Sequence, residues 1–317
     1  MNQLFFISQQ TMTFTIPLLV VALAGLFSEK SGVVNIALEG IMLIGAFFGV
    51  LFIYYFQSVL DGQILLLLAL LVSALFGALF SYLHAFASIT LKADQTISGT
   101  ALNLFAPAFC IFVARILIGR QQIPFNDSFF IPSVPILSSI PILGGILFTN
   151  VYITTYIGLF ITFLSYIIIN YTQFGIRLRA CGENPHAVDS VGVNVSKIRY
   201  IAVLISGALS GVGGLIFVIP TSTNFNASVS GYGFLAVAVL IFGQWSIPRV
   251  LLASFFFGLM KTFSTAYSSI SFLANLNIPS DVYKMLPYIV TLIVLAFTSK
   301  SSQAPISLGI PYDKSSK

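Results

Sequence analysis

The sequence predicts an all-α fold, a polytopic bundle of about nine transmembrane helices. Hydrophobic residues make up 57% of the 317-residue chain and charged residues only 7%, against about 25% charged in an ordinary soluble domain. A soluble globule with so few charges cannot cover its surface, whereas lipid solvates apolar side chains directly. Apolar stretches near the length that a hydrocarbon core about 30 Å thick requires recur along the whole chain. No segment is polar enough to be a separate soluble domain. Residues 1–300 therefore read as one transmembrane unit and 301–317 as a short tail.

The predicted spans are 11–27, 33–56, 64–89, 97–119, 151–171, 200–220, 229–245, 250–270 and 282–297. Boundary choices let the count run from eight to ten. Two spans, 229–245 and 282–297, are short enough to be broken or re-entrant helices. Pro107 and Pro287 are predicted to break or kink their spans, as transporters do where they line a central site. The 24 glycines suit a bundle in which backbones approach closely. Segment 126–150 is apolar but carries Pro132, Pro135 and Pro141, and reads as a loop lying on or dipping into the interface.

A net charge of +5 and a pI near 9.2 do not imply nucleic acid, because no basic run forms a phosphate-binding stripe. The positive-inside rule gives the better account. Nine spans with loop 173–199 inside place Lys30, Lys92, Arg177, Arg179, Lys197, Arg199, Arg249, Lys300, Lys314 and Lys317 on one side, ten of the fourteen basic residues. Arg115, Arg120, Lys261 and Lys284 are the exceptions. This predicts a cell-membrane protein with its amino terminus extracytoplasmic and its carboxyl terminus cytoplasmic. Cys110 and Cys181 have neither metal-ligand nor redox spacing. There is no P-loop, no metal-ligand cluster and no Ser–His–Asp pattern in a sensible context, so no metal site, cofactor or enzymatic centre is expected on this chain.

The largest polar stretch between spans is 177–199, RLRACGENPHAVDSVGVNVSKIR. Asn184 suits an N-cap, Pro185 the first helical position and Gly192 the residue just past the end. The helix between them makes about two turns, with Ala187, Val188 and Val191 on one face and His186, Asp189 and Ser190 elsewhere. So short a helix is marginal alone and gains order by docking its apolar face into a groove of another protein. An amphipathic helix resting on lipid headgroups is the alternative.

This loop resembles the coupling segment of bacterial ABC importer permeases of the ribose, simple-sugar and nucleoside type. Gly182-Glu183-Asn184-Pro185 and Gly192-Val193-Asn194-Val195 match the two ends of that segment. Residues 25–48, GLFSEKSGVVNIALEGIMLIGAFF, look like the first-loop signature of the family's nucleoside branch, with its N-I-x-x-E-G. Residues 201–215, IAVLISGALSGVGGL, and 231–243, GYGFLAVAVLIFG, are similar to two Gly-rich family motifs. The resemblance implies a permease subunit that works by alternating access with nucleosides as cargo; simple sugars are the runner-up. It implies that Glu183, Asn184, Pro185, His186, Ala187, Val188, Asp189, Val191 and Gly192 contact a cytoplasmic ATPase subunit, which binds ATP and Mg. The other implied partners are a second permease subunit, like or unlike, and an extracytoplasmic solute-binding lipoprotein. Asp189→Arg or Val188→Asp is then expected to weaken ATPase binding without unfolding the membrane domain.

Ionisable groups at membrane depth are costly unless they face a cavity or a partner. Glu39 follows Asn35 by four residues, which on one helix sets both on the same face. They could line a path for hydroxyl-bearing solutes; alternatively Glu39 caps or pairs with a neighbouring helix. Lys261 lies mid-span and is expected to face a polar cavity or to pair with a carboxylate such as Glu39. Asn103 stands near the start of the fourth span. These four residues are the candidate translocation pathway. A proton- or sodium-coupled carrier is the competing class, and Glu39 is the one clear intramembrane carboxylate it could use.

Overall fold

The computed structural model describes residues 2–125, 129–135, 138, 140, 144–145, 148–267, 279, 282–283, 285, 287, 289–290, 292 and 303–314. Among the described residues the helices are α1 (Asn2–Lys30), α2 (Leu38–Phe56), α3 (Gly62–Ala85), α4 (Gln95–Ile118), α5 (Ile153–Tyr171), α6 (Gln173–Glu183), α7 (Pro185–Ser190), α8 (Val195–Thr221), α9 (Tyr232–Phe242) and α10 (Ile247–Ala266). Four short strands are β1 (Ile123–Pro124), β2 (Phe130–Ser133), β3 (Thr149–Tyr152) and β4 (Asn224–Phe225).

Among the described residues seven helices are long and apolar enough to cross a membrane: α1, α2, α3 with its π-helical extension to Thr90, α4, α5, α8 and α10. The chain is a multi-pass membrane protein. The seventh expected span, 229–245, contracts to the 11 residues of α9, about 16 Å of helix and half a hydrocarbon core. The ninth, 282–297, lies mostly outside the described residues.

The core forms around α1. Leu18, Leu19, Val20, Val21, Ala22, Leu23, Ala24 and Leu26 have no exposed surface at all, and a helix apolar on every side belongs inside. It packs on α8, α10, α9 and α5, while α8 also lies against α2 and α3. Small residues set these approaches. A Cβ on Gly45 of α2 would strike the Gly211 backbone of α8, and one on Gly211 would strike the Ser73 carbonyl of α3. With nothing but lipid outside, such close backbone packing is what holds membrane helices together. By contrast α4 turns Ile97, Leu104, Phe112 and Ile116 outward.

Three expectations change. The second helix begins at Leu38, not near residue 33, because Gly32 turns with φ +94° and the chain then runs through a non-helical stretch to Ala37. Pro107 does not break its span, since α4 continues through it from Gln95 to Ile118. One missing N–H is tolerated in a membrane helix whose neighbouring hydrogen bonds persist. The proline-rich segment is not a plain loop: β2 and β3 pair antiparallel with Phe130 opposite Tyr152 and Ser133 opposite Thr149. Nearby, β1 pairs β4, tying the chain after α4 to the chain after α8.

One end of the bundle collects Lys30, Lys92, Arg177, Arg179, Lys197, Arg199, Arg249 and Lys314, at the ends of α1, α3, α6, α8 and α10 and in residues 303–314. Lys300 and Lys317 fall outside the described residues. This basic end also carries α6 and α7.

Candidate functional site

Residues 31–37 are non-helical backbone inside a helix bundle, and every such group needs a partner where water is scarce. Side chains from four helices supply five of these partners. The Ser31 carbonyl accepts from Arg199 Nε (3.1 Å). The Val33 carbonyl accepts from Ser28 Oγ (2.7 Å). Val34 N donates to Gln95 Oε1 (2.7 Å), and its carbonyl accepts from His84 Nε2 (2.8 Å). That bond places the proton on Nε2, so Nδ1 accepts from Ser98 Oγ at 3.1 Å. Asn103 Nδ2 donates to the Ile36 carbonyl (2.8 Å) while its Oδ1 accepts from Gly40 N (2.8 Å). One amide thus bridges the break and starts α2. Between Arg199 and Ser206, which accepts from Asn35 Nδ2 at 2.9 Å, this segment descends along α8 by about 10 Å.

Asn35 and Glu39 therefore do not share a helical face. Asn35 precedes the helix and ties the segment to α8. Glu39, in the first turn of α2, caps a different helix: Oε1 accepts from Gly231 N (2.9 Å) and Oε2 from Gly233 N (2.6 Å). The α9 N-terminus needs this. Gly231, its N-cap residue, sits at φ +76° and has no side chain to offer. A carboxylate on the first free amides of a helix also meets the positive end of its dipole. Gly233 is required for the approach, because a Cβ there would strike the Glu39 backbone.

Lys261 reaches the same helix start by another route. Its Nζ lies over the Tyr232 ring, 5.9 Å from the centroid, a cation–π distance. Tyr232 itself packs on Phe217 of α8 with centroids 4.1 Å apart. Among the described residues no ion pair joins Lys261 to Glu39, contrary to the pairing expected. Both instead converge on the first turn of α9. The far end of α9 is anchored as well. Gln244 and Trp245 turn with φ +49° and +52°, and the Trp245 indole donates to the buried Glu29 carboxylate of α1 at 2.6 Å. Of these partners, His84 and Gln95 stand out in the sequence as polar side chains in or beside apolar runs, and Glu29 and Ser206 lie within the motif stretches 25–48 and 201–215. Trp245 carries no spacing signal.

At the basic end, the helix expected between Asn184 and Gly192 is α7. Asn184 Oδ1 accepts from Ala187 N (3.0 Å), Pro185 occupies the first turn, and Gly192 has φ +81°. Its faces differ from the helical-wheel expectation. Val188 is 6% exposed and belongs to the core, whereas Val191, just past the helix, is 75% exposed. A helix of six residues is too short for one apolar stripe to act as a unit. Pro185 and Val188 fasten it, leaving Glu183, Asn184, His186, Ala187, Val191 and Gly192 exposed and Asp189 half-buried. Val188→Asp would accordingly disturb packing, not probe a surface. Cys181, at the end of α6, is buried, and burial pushes its thiol up to about 11. Among the described residues no cluster of three or more potential metal ligands exists.

Likeness to known proteins gives the class of this one, a permease component of a transport system. The chain belongs to the family described as "Branched-chain amino acid transport system / permease component", whose model matches residues 7–295. It is 40% identical over 315 residues (99% of this chain, 98% of the relative) to the nucleoside ABC transporter permease protein NupC of Lactococcus lactis. It is 41% identical over 308 residues (96% and 95%) to the guanosine ABC transporter permease protein NupQ of Bacillus subtilis. A second L. lactis nucleoside ABC transporter permease protein, NupB, is 22% identical over 275 residues (85% and 73%). No solved structure matches the chain.

The residues behind the family resemblance are neighbours in space. Asn35 and Glu39 come from the first-loop signature, Ser206 from the Gly-rich span, Gly231 and Gly233 from the later Gly-rich motif. Each motif supplies one half of a hydrogen bond that another completes.

Proposed function

We propose that this chain forms the membrane pathway of an ATP-driven nucleoside importer. Cytoplasmic ATPase subunits hydrolyse ATP with Mg on separate chains, and an extracytoplasmic lipoprotein delivers the solute. The observation that carries this reading is α7: a two-turn helix, capped at Asn184, closed at Gly192 and fixed by Pro185 and Val188, with His186, Ala187, Ser190 and the following Val191 presented outward. A lever of that kind transmits force only if something grips it. The cargo follows from near-full-length likeness to permeases named for nucleosides and guanosine. Because L. lactis holds both a close and a distant permease of that name, the partner permease is read as an unlike subunit. On this reading the basic end, with residues 303–314, is cytoplasmic and the amino terminus extracytoplasmic.

Motion follows from linkage: ATP binds one arrangement of the motor subunits more tightly, and the permease arrangement coupled to it gains the same free energy. A gradient-driven carrier fits less well, since its obvious carboxylate, Glu39, is already engaged by two backbone amides. The test is uptake of labelled guanosine and ribose into vesicles holding the complete complex, with the ATPase reading its own turnover. Uptake of guanosine that needs lumenal ATP supports the reading. Uptake sustained by an imposed ion gradient without ATP refutes it.

A further inference from the structure

Residues 303–314 do not leave the basic end but cross it. Gln303 N donates to Gln244 Oε1 (2.9 Å), and Gln303 Oε1 accepts from Arg249 (3.3 Å), which fixes the start of this segment to the α9–α10 turn. Ser307 N donates to the Gly182 carbonyl (2.8 Å) and Ser307 Oγ to that of Glu183 (3.2 Å), at the junction of α6 and α7. Gly309 N donates to the Gly32 carbonyl (3.0 Å), and the Ile310 carbonyl accepts from Arg199 Nη1 (3.2 Å). Further on, the Tyr312 ring meets His186 edge-on at 5.2 Å, Asp313 pairs with Lys92 at 2.7 Å, and Lys314 approaches Asp189 at 3.5 Å. The segment therefore straps α7 to the α1–α2 connection and to the α9–α10 turn.

Its outward side is apolar where its inward side is bonded. Ile306 is 77% and Ile310 58% exposed, bracketing the buried Ser307. They stand at the same end as Val191, the exposed apolar group closing α7. A cavity of about 480 Å³ opens between the strap and the start of α8, lined by Asp189, Gly192, Asn194, Tyr312, Asp313 and Lys314 among others.

We propose that residues 303–314 and α7 form one composite docking surface for the ATP-hydrolysing subunit, with Ile306 and Ile310 as contacts on the strap. The inference rests on the ATP-coupled reading above. A lipid headgroup layer suits the rim, where Arg177, Arg179, Lys197 and Arg249 are exposed, but not the strap. There Lys92 and Lys314 are paired with carboxylates, Glu183 and Asp189 would confront anionic lipid with like charge, and the apolar Ile306 and Ile310 stand outward. A protein suits the surface. Its apolar ridge covers Ile306, Ile310 and Val191, its polar groups reach the cavity, and its acidic rim meets exposed Arg177, Arg179, Lys197 and Arg249. The occupant is continuous with the one that grips α7.

The test co-expresses the permease with a P-loop ATPase of the ABC type from the same genome and measures ATPase retained on the purified permease. Full-length chain, the double variant Ile306→Asp/Ile310→Asp, and a chain ending at Ser302 are compared, with helical content as the check on folding. Both side chains are exposed, so the double variant keeps its helical content while ATPase retention falls tenfold or more. Retention within twofold of wild type overturns the inference and leaves the ATP-coupled reading standing. No ATPase on the wild-type chain sinks that reading and this inference with it. Photo-cross-linkers at positions 306 and 310 give an independent readout that does not need the truncated chain to fold. Capture of the ATPase supports the docking surface, and capture of lipid alone overturns it.

Discussion

Replacing Glu39 with alanine strips the start of α9 of both its acceptors at once. Gly231 N and Gly233 N, now 2.9 and 2.6 Å from carboxylate oxygens, would lose these acceptors, and Gly231 has no side chain to replace them. A hydrogen bond to a charged acceptor contributes about 1.5–3 kcal/mol, and a carboxylate on a helix N-terminus about 0.5–1 kcal/mol more. Water entering the vacated space recovers part of this, so the local loss is about 3 kcal/mol, which raises the opening equilibrium of α9 about a hundredfold. Hydrogen exchange of peptides covering 231–243 in detergent reads that equilibrium directly. Glu39→Gln, which keeps one acceptor, should raise exchange about tenfold; Glu39→Asp, which keeps the charge but shortens the reach, should fall between. Exchange of these amides in Glu39→Ala within threefold of wild type would refute the capping argument. It would return Glu39 to the pathway role inferred from its position alone.

Three further outcomes are expected. Asn103→Leu leaves the Ile36 carbonyl and the Gly40 amide without their bridge, costing about 2–4 kcal/mol, and should lower the thermal midpoint and the folded yield, whereas Asn103→Gln at the same site cannot restore both. Val188→Asp puts a charge on a side chain 6% exposed and should reduce recovery of folded permease, while Val191→Asp, at 75% exposed, should leave recovery unchanged and lower ATPase retention. Equal recovery of the two proteins would contradict the assigned faces. Cys181, buried with its thiol pushed up to about 11, holds only about one thiolate in a thousand at pH 8 and should resist maleimide until the chain is denatured; rapid labelling of native protein would show the α6–α7 junction to be open.

Much of the fold was legible because lipid simplifies the code. Long apolar runs named α3, α4 and α5 almost to their ends, though α1 and α8 begin nine and five residues before the predicted spans because their first turns are more polar. Asn184, Pro185 and Gly192 bounded α7 because helix capping is a local property. What was not legible depends on groups far apart in sequence. Asn35 and Glu39 are four residues apart, and spacing put them on one helix; Gly32 ends that inference, and the actual partners lie 171 and more than 190 residues away. The shortness of α9 was readable, and so was a capping role for Glu39 on a neighbouring helix; that the helix it caps is α9 was not. Val188 and Val191 were assigned to one face because a periodic argument presumes a helix long enough to have faces.

The half-length α9 is a tie rod pinned at both ends. Glu39 of α2 holds one end through two amides, and Glu29 of α1 holds the other through Trp245. Were α1 to slide past α2, a rod of fixed length would have to pivot or release a pin. Pivoting would carry Tyr232 of α9 out from under Lys261 of α10, so a small axial slip between two buried helices would become a sideways sweep of an aromatic ring.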